Sequence, residues 1–129
     1  MNEILHVGLD VGSTTVKIIV MDKNKKTIYK NYQRHFSDTK NTVCNVLEDL
    51  LLKYPSNNFT LALTGSGAMS AAKFLGVDFI QEVVSCKRAV EKYIPKTDVV
   101  IELGGEDAKI IYFDQSIEQR MNGTCAGGT

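Results

Sequence analysis

A glycine-containing turn near the start of the chain carries residue types suited to phosphate binding. The turn, Asp-Val-Gly-Ser-Thr-Thr, interrupts an apolar segment at residues 4–21 that predicts two antiparallel strands joined by a hairpin. Glycine lacks a Cβ, so the backbone amides here can turn towards an anion, and the neighbouring hydroxyl groups add donors. Because ordinary hairpin turns use the same residue types, this turn alone leaves phosphate binding and a structural role equally open. The candidate phosphate ligands are Gly12, Ser13, Thr14 and Thr15.

Asp10 precedes this turn at the end of an apolar strand. An unpaired carboxylate is costly in such a place, whereas a hydrated magnesium ion that arrives with a nucleotide would compensate its charge. The turn matches neither the Walker loop nor the dinucleotide-binding fingerprint, because the glycines of both motifs lead into a helix. We therefore predict a phosphate-binding hairpin in which Asp10 is a catalytic residue and binds magnesium through water.

A second segment, VVIELGGEDAKIIYF at residues 99–113, repeats the order of apolar strand, glycine turn and apolar strand. Glu102 corresponds to a position near Asp10, and Asp107 follows the second turn, so each hairpin brings a carboxylate towards the predicted metal. Two such hairpins facing each other would clamp a polyphosphate, and the repetition favours phosphate binding over two unrelated structural turns. The second hairpin adds Asp107 as a catalytic residue and Gly104, Gly105 and Glu106 as nucleotide ligands.

A third glycine loop, Thr-Gly-Ser-Gly at residues 64–67, follows a short apolar strand and leads into an alanine-rich helix. Ligands of open α/β folds gather beyond the carboxyl ends of strands, which makes Gly65 and Gly67 candidate ligands in the same cleft. Close packing of the helix against its neighbours would favour the same two glycines. Both interpretations are open from the sequence.

The remaining pattern predicts a mixed α/β fold. A third strand at 26–34 completes an antiparallel meander, and a helix that Pro55 terminates leads to a buried strand at 59–64. This strand is expected to run parallel to the first, because a helix crosses over between them. A helix at 68–75, a short edge strand at 79–80 and a helix that ends at Pro95 complete the prediction before the second hairpin.

Composition narrows the class of protein. The 129 residues contain fifteen basic and fifteen acidic side chains, so there is no net field to attract nucleic acid or an anionic membrane. No apolar run approaches the ~20 residues that cross a bilayer. The three cysteines, Cys44, Cys86 and Cys125, are widely spaced and form no disulfide framework. We expect a cytoplasmic protein in which Cys44 is a small residue at a helix edge, Cys86 packs on the apolar face of its helix, and neither thiol is reactive.

Three motifs in order, DVGSTTVK, ELGGEDAK and MNGTCAGGT, resemble a known family over essentially the whole chain. They are similar to the phosphate-1 hairpin, phosphate-2 hairpin and cysteine loop of the ATP-dependent activators of 2-hydroxyacyl-CoA dehydratases. That group includes the benzoyl-CoA reductase ATPase subunits and belongs to the superfamily of actin, sugar kinases and heat-shock chaperones. The segment RHFSDTK resembles especially the long, multidomain activase-like members. The first motif adds Lys17 to the implied ATP ligands.

The resemblance implies two ribonuclease H-like subdomains that close over ATP. Residues 1–95 would form the first, and residues 98–129 would begin the second, so the chain would be an N-terminal fragment of a longer protein. The implied activity is an ATPase that drives low-potential electron transfer into a partner dehydratase or reductase. Similar activators hold one four-iron four-sulfur cluster between two subunits, and Cys125 matches a cluster ligand, which implies a homodimer.

The chain departs from this family at three places. It has Cys-Ala-Gly-Gly where shorter members usually have Cys-Ala-Ala-Gly, and it has Glu102 and Glu106 where Asp and Gln are common. The roles of these two glutamates are therefore open. The alternatives are a small-molecule kinase of the same superfamily, for which Cys125 would have no use, and a non-catalytic nucleotide-binding module.

Overall fold

The protein is described by a computed structural model that covers residues 2–104, 107–113 and 119–122. The chain divides into two compact units, Met1–Ile80 and Gln81–Thr129. The boundary between functional subdomains that the sequence suggests at residues 95–98 stays a prediction. No helix in the described parts of the chain has both the length and the apolar character to cross a membrane.

The first unit is a five-stranded mixed sheet with helices. Its strand order is β3-β2-β1-β4-β5, in which β2 runs antiparallel to β1 and β3, whereas β4 runs parallel to β1 and β5. This arrangement confirms the predicted meander and the predicted parallel strand. The elements are β1 (Ile4–Val11), β2 (Thr15–Met21), β3 (Thr27–Arg34), α1 (Thr39–Lys53), β4 (Asn58–Thr64), α2 (Met69–Leu75) and β5 (Asp78–Phe79).

Alternation along β1 separates the core from the predicted site. Side chains in a strand point alternately to the two faces of the sheet, and every second residue of β1 is buried against α1 and α2. Asp10 therefore lies on the face opposite to this core. The buried apolar residues of the two central strands and α1 are Leu5, Val7, Leu9, Val11, Val16, Ile18, Val20, Val43, Val46 and Leu50.

The helices end where the sequence predicts. Helix α1 ends at Lys53, two residues before the proline. Helix α2 ends at Leu75 and is capped by Gly76, whose φ of 66° lies in the left-handed region that glycine adopts without steric cost. The loop between β4 and α2 lies at the same end of the sheet as the turn between β1 and β2, because β1 and β4 are parallel and Asp10 pairs with Thr64.

In its described residues, the second unit contains one helix and a three-stranded antiparallel sheet of order β6-β7-β8. The pairing of β6 with β7 confirms the predicted second hairpin. The elements are α3 (Glu82–Tyr93), β6 (Val99–Leu103), β7 (Ala108–Tyr112) and β8 (Gln119–Asn122).

Candidate functional site

The first glycine turn connects β1 to β2 and is closed by its own backbone. The amide of Gly12 donates a hydrogen bond to the carbonyl oxygen of Thr15 at 2.9 Å. The Gly12 amide is thus occupied, whereas the sequence predicts that it faces a ligand. Ser13 is exposed and Thr14 half-buried, whereas Thr15 is buried. The donors that this turn can offer to an anion are therefore the amides and hydroxyl groups at its tip.

Three carbonyl groups of the same turn are hydrogen-bonded to the rest of the unit. The oxygen of Val11 accepts a hydrogen bond from the Gly67 amide at 2.8 Å, and the oxygen of Thr14 accepts one from the His35 amide at 3.1 Å. The oxygen of Gly12 lies 3.0 Å from the His35 ring nitrogen Nε2. The two amides at the tip, those of Ser13 and Thr14, have no acceptor among the described residues. A turn with bonded carbonyls and free amides is suited to bind an anion.

Asp10 and Lys17 form a pair across β1 and β2 on the face opposite to the core. The Lys17 ammonium lies 3.1 Å from Oδ2 of Asp10, and the two side chains are 43% and 32% exposed. The other carboxylate oxygen, Oδ1, is buried and has no partner within the described parts of the chain. A buried unpaired carboxylate oxygen is unfavourable unless water or a cation reaches it, so Asp10 fits a hydrated magnesium ion.

The surroundings of Asp10 limit what kind of metal site it can form. Thr64, which lies opposite Asp10 on β4, also has a buried hydroxyl oxygen without a partner in the described region. In residues 2–104, 107–113 and 119–122, no group of three or more His, Cys, Asp or Glu side chains is arranged to hold a metal. A magnesium ion at Asp10 would thus take most of its ligands from water and phosphate oxygens, which is its usual preference.

The loop after β4 packs directly against the first turn. A Cβ atom at Gly65 would lie 2.3 Å from the carbonyl oxygen of Val11 and 2.6 Å from Oδ1 of Asp10, and Gly65 has a φ of +103°. Close packing is therefore the physical reason for this glycine. The same packing places Gly65 and Gly67 beside the turn and Asp10, so the two interpretations that the sequence left open are compatible. A role of either glycine in binding a ligand stays a prediction.

His35 contributes to the site although the sequence analysis did not single it out. Its ring is buried between the first turn and the chain after β3: Nε2 contacts Gly12, and Nδ1 accepts a hydrogen bond from the Ser37 amide at 3.1 Å. The available signal was a histidine directly after a strand predicted to pair with β2. That pairing aligns Arg34 with Thr15 and so brings His35, the next residue, to the turn.

The second hairpin repeats the construction of the first. The amide of Gly104 donates to the carbonyl oxygen of Asp107 at 2.8 Å, as Gly12 does three residues before its own acceptor. Glu102 pairs with Lys109 across β6 and β7 in the register that joins the carboxylate and lysine of the first hairpin. The predicted internal repeat is thus visible in the backbone closure and in a cross-strand ion pair.

Lys109 is only 4% exposed and is held by two carboxylates. Its ammonium lies 2.6 Å from Oε2 of Glu82, at the start of α3, and 3.8 Å from Oε1 of Glu102. Burial by itself lowers the pKa of Lys109, but the hydrogen bond to Glu82 and the nearby negative charges outweigh it, so the pKa is raised. This lysine stays charged and joins the second hairpin to the helix.

The two described cysteines differ in environment. Cys44 is exposed on α1, and Cys86 is half-buried on α3. Burial raises the pKa of the Cys86 thiol, and the Glu102 carboxylate raises it further. A thiol with a raised pKa is a weak nucleophile at neutral pH, in line with the unreactive role expected for Cys86.

The remaining predicted site residues are Gly105, Glu106 and Cys125, and they lie outside the described residues. Asp10 and Asp107 lie in different units, so the convergence of the two hairpins on one nucleotide stays a prediction.

The comparison with protein families gives a match to the model described as the BadF/BadG/BcrA/BcrD ATPase family over residues 7–129. The chain belongs to this ATPase family. The match confirms the resemblance seen in the three motifs. A curated relative, the (R)-2-hydroxyglutaryl-CoA dehydratase activating ATPase of Acidaminococcus fermentans, is 32% identical over an alignment 132 residues long that covers 98% of this chain and 50% of the relative. The chain spans about half the length of the curated relatives it matches, such as this one.

Two solved structures share the fold of this chain. The (R)-2-hydroxyglutaryl-CoA dehydratase component A of Acidaminococcus fermentans matches 98% of this chain and 50% of its own, with a TM-score of 0.78 and 24% identity. The activator of the 2-hydroxyisocaproyl-CoA dehydratase from Clostridium difficile, solved with bound ADPNP, matches 92% of this chain and 46% of its own, with a TM-score of 0.72 and 23% identity. These matches confirm the predicted fold class.

Proposed function

We propose that this chain is the nucleotide-binding first part of a longer ATPase that activates a CoA-thioester dehydratase or reductase. The observation that carries the proposal is the first hairpin, where two free amides stand beside a carboxylate with one unpaired oxygen. Membership of an ATPase family and the names of the relatives support the nucleotide and the kind of partner.

In this proposal the tip of the first turn binds the β- and γ-phosphates of ATP. The amides of Ser13 and Thr14 donate to phosphate oxygens, and their hydroxyl groups add donors. Lys17 is half-exposed and can extend from Asp10 towards a phosphate, because an exposed ion pair is weak. Phosphoryl transfer depends mainly on such positioning and electrostatic stabilisation. Gly105 and Glu106 stand at the corresponding positions of the second hairpin and have the same role in the proposal. The Gly104 amide, which the sequence suggested as a ligand, is occupied by turn closure onto Asp107, as the Gly12 amide is onto Thr15.

The two aspartates supply the charge that the reaction needs. Asp10 would hold hydrated magnesium through its unpaired Oδ1, and Asp107 would orient the attacking water. Magnesium, when bound, offsets the negative charge that develops on the phosphate oxygens. The absence of a dedicated metal cluster in the described region is compatible with this arrangement, since nucleotide-bound magnesium keeps several waters.

The electron-transfer part of the proposal depends on the cysteine loop. We assign Cys125 as a ligand of a four-iron four-sulfur cluster shared by two subunits of a homodimer. The support is the resemblance of MNGTCAGGT to the family's cysteine loop. A thiolate cluster is the usual protein carrier of electrons at low potential.

Nucleotide binding is tested by calorimetry on the complete protein with magnesium and a non-hydrolysable ATP analogue. We expect the parent to bind, and Asp10→Asn to weaken binding at least about tenfold, as the loss of one charged hydrogen bond would. Asp49→Asn, which changes an exposed aspartate of α1, is the matched control and should bind like the parent. A parent that binds no nucleotide, or an Asp10→Asn variant that binds normally, contradicts the proposal.

The cluster is tested separately by anaerobic reconstitution, with iron and sulfide counted per dimer and the assembly state measured. We expect Cys125→Ala to lose the cluster, whereas Cys44→Ala, which removes an exposed thiol, should keep it. If Cys125→Ala retains a full cluster, the electron-transfer assignment is wrong. ATP-dependent phosphorylation of a small alcohol by the purified protein would favour the kinase alternative instead.

A further inference from the structure

We infer that His35 is a positioning residue that holds the first glycine turn in the conformation that presents its amides to phosphate. The inference rests on the proposed nucleotide-binding function and adds a residue that lies outside the three motifs. It is carried by the two hydrogen bonds of the buried His35 ring, one to the turn and one to the chain after β3.

The two ring bonds define which nitrogen carries the proton. The amide of Ser37 can only donate, so Nδ1 of His35 accepts and carries no proton. The proton of the neutral ring is then on Nε2, which donates to the carbonyl oxygen of Gly12 at 3.0 Å. The ring therefore keeps this carbonyl away from the anion side of the turn. Were the carbonyl to rotate outward, its partial negative charge would repel a phosphate.

The main chain at the same residue holds the other side of the turn. The His35 amide donates to the carbonyl oxygen of Thr14 at 3.1 Å, so one residue bonds two carbonyls that flank the tip. This second bond does not need the imidazole. A substitution at His35 therefore removes the ring contact to Gly12 and leaves the backbone contact available, which isolates the effect of the side chain.

The segment that carries the ring has an uncommon backbone. Phe36 and Ser37 are consecutive non-glycine residues with φ of 48° and 64°, in the left-handed region that costs energy for both. The Asp38 amide closes this turn onto the His35 carbonyl at 2.8 Å. Phe36 is 78% exposed, so burial of its ring contributes little to offset the strain. The hydrogen bonds of His35 offset part of this strain, as does the Arg34 guanidinium, which lies 5.1 Å from the centre of the Phe36 ring.

Two isosteric variants separate the two ring bonds. In His35→Gln the side-chain amide nitrogen takes the place of Nε2 and can donate to Gly12. In His35→Asn the side-chain oxygen takes the place of Nδ1 and can accept from the Ser37 amide, but the bond to Gly12 is lost. The other histidine gives a matched control: His6 lies on β1, its Nδ1 is 2.7 Å from Oγ1 of Thr60, and it is separated from the turn by about 16 Å of strand.

The first measurement is amide hydrogen exchange at residues 12–15, by NMR on this chain without nucleotide. We expect His35→Asn to accelerate exchange of the Gly12 amide about fivefold to tenfold, the effect of one lost hydrogen bond. His35→Gln and His6→Gln should stay within about twofold of the parent. The second measurement is the affinity of the complete protein for the magnesium complex of an ATP analogue, for which we expect the same ranking and a similar fold-loss.

The comparison of variants decides the outcome. If His35→Asn exchanges and binds like the parent, the inference is overturned. It is also overturned if His35→Gln and His35→Asn lose urea stability and affinity equally, because the ring would then serve folding and not the turn. If the parent binds no nucleotide, the proposed function fails, and the exchange rates at the turn still show whether His35 positions it.

Discussion

The two glycine hairpins have the same backbone construction and different surroundings. In each, a glycine amide closes the turn onto the carbonyl three residues later, and a lysine pairs with a carboxylate across the strands. Lys17 of the first hairpin is 43% exposed and lies 5.6 Å from the ring of Tyr32. Lys109 of the second is 4% exposed and is bound by Glu82 of the helix in its own unit.

This difference shows how one local motif can serve two purposes. An exposed ion pair contributes little to stability, so Lys17 loses little when it leaves Asp10 for a ligand. A buried ammonium loses much when its carboxylate partner is removed, so Lys109 is fixed and joins its hairpin to α3. We expect the first hairpin to respond to ligand and the second to keep its shape. Four predictions test this contrast.

The largest expected effect is at the loop that supports the first turn. Gly65→Ala places a Cβ 2.3 Å from a backbone oxygen at a φ of +103°, so the free energy of unfolding of the first unit should fall by about 3 kcal/mol. At Gly104 the nearest atom to a Cβ, at 2.8 Å, is a side-chain oxygen of Asp107 that can move. Gly104→Ala should cost under ~1 kcal/mol. Urea unfolding measures both, and equal costs would contradict the contrast.

The next effect compares the two lysines directly. Lys109→Met leaves Glu82 and Glu102 without their buried partner, and we expect a loss of about 2 kcal/mol in the stability of the second unit. Lys17→Met breaks an exposed pair and should change stability by under ~1 kcal/mol. Lys30→Met, which alters an exposed lysine of β3, is the control. If Lys17→Met destabilises as much as Lys109→Met, the first pair is structural.

A smaller effect is expected in the pH dependence of stability. The pKa of Lys109 is raised in the folded protein, because its hydrogen bond to Glu82 and nearby carboxylates outweigh burial. Protonated Lys109 therefore contributes to the free energy of unfolding fully below the unfolded-state pKa of about 10.4. This contribution is lost as pH rises through the higher folded-state pKa. The difference in unfolding free energy between parent and Lys109→Met should be constant near pH 8 and shrink in strongly alkaline buffer. A difference that grows with pH would mean that folding lowers the pKa of Lys109 instead of raising it.

The smallest effect concerns thiol chemistry beside the second hairpin. Burial and the Glu102 carboxylate raise the pKa of Cys86, whereas Cys44 is exposed. At pH 8 iodoacetamide should modify Cys44 at least about tenfold faster than Cys86, because the thiolate is the reactive form. Peptide mapping by mass spectrometry distinguishes the two sites. Faster modification of Cys86 would mean that the packing of α3 beside the second hairpin opens readily.

Local patterns were enough to predict the elements of the fold. Two apolar runs separated by a glycine turn predicted β1 and β2, helical spacing predicted α1, and the glycine after α2 predicted its end. The parallel β4 followed from the helix that connects it to the meander. Each of these signals is contained in a short segment, so no knowledge of distant contacts was needed.

The parts of the site that the sequence did not predict depend on distant pairing or on turn geometry. His35 reaches Gly12 only because β3 pairs with β2 in a particular register. The loss of the Gly12 amide to turn closure depends on the turn type, which the residue types alone do not define. The contact of Glu82 with Lys109 joins residues 27 positions apart. Such contacts become visible only once the strands and helices are placed in space.

The position of β1 at the centre of its sheet also has a consequence for synthesis on the ribosome. One edge of β1 pairs with β2 as soon as residue 21 has emerged, but the other edge waits for β4, which ends at residue 64. At ordinary translation rates this interval lasts roughly 2 to 9 s. During it, the apolar strand that later supports Asp10 has an unpaired edge, which is the feature that recruits strands from neighbouring nascent chains.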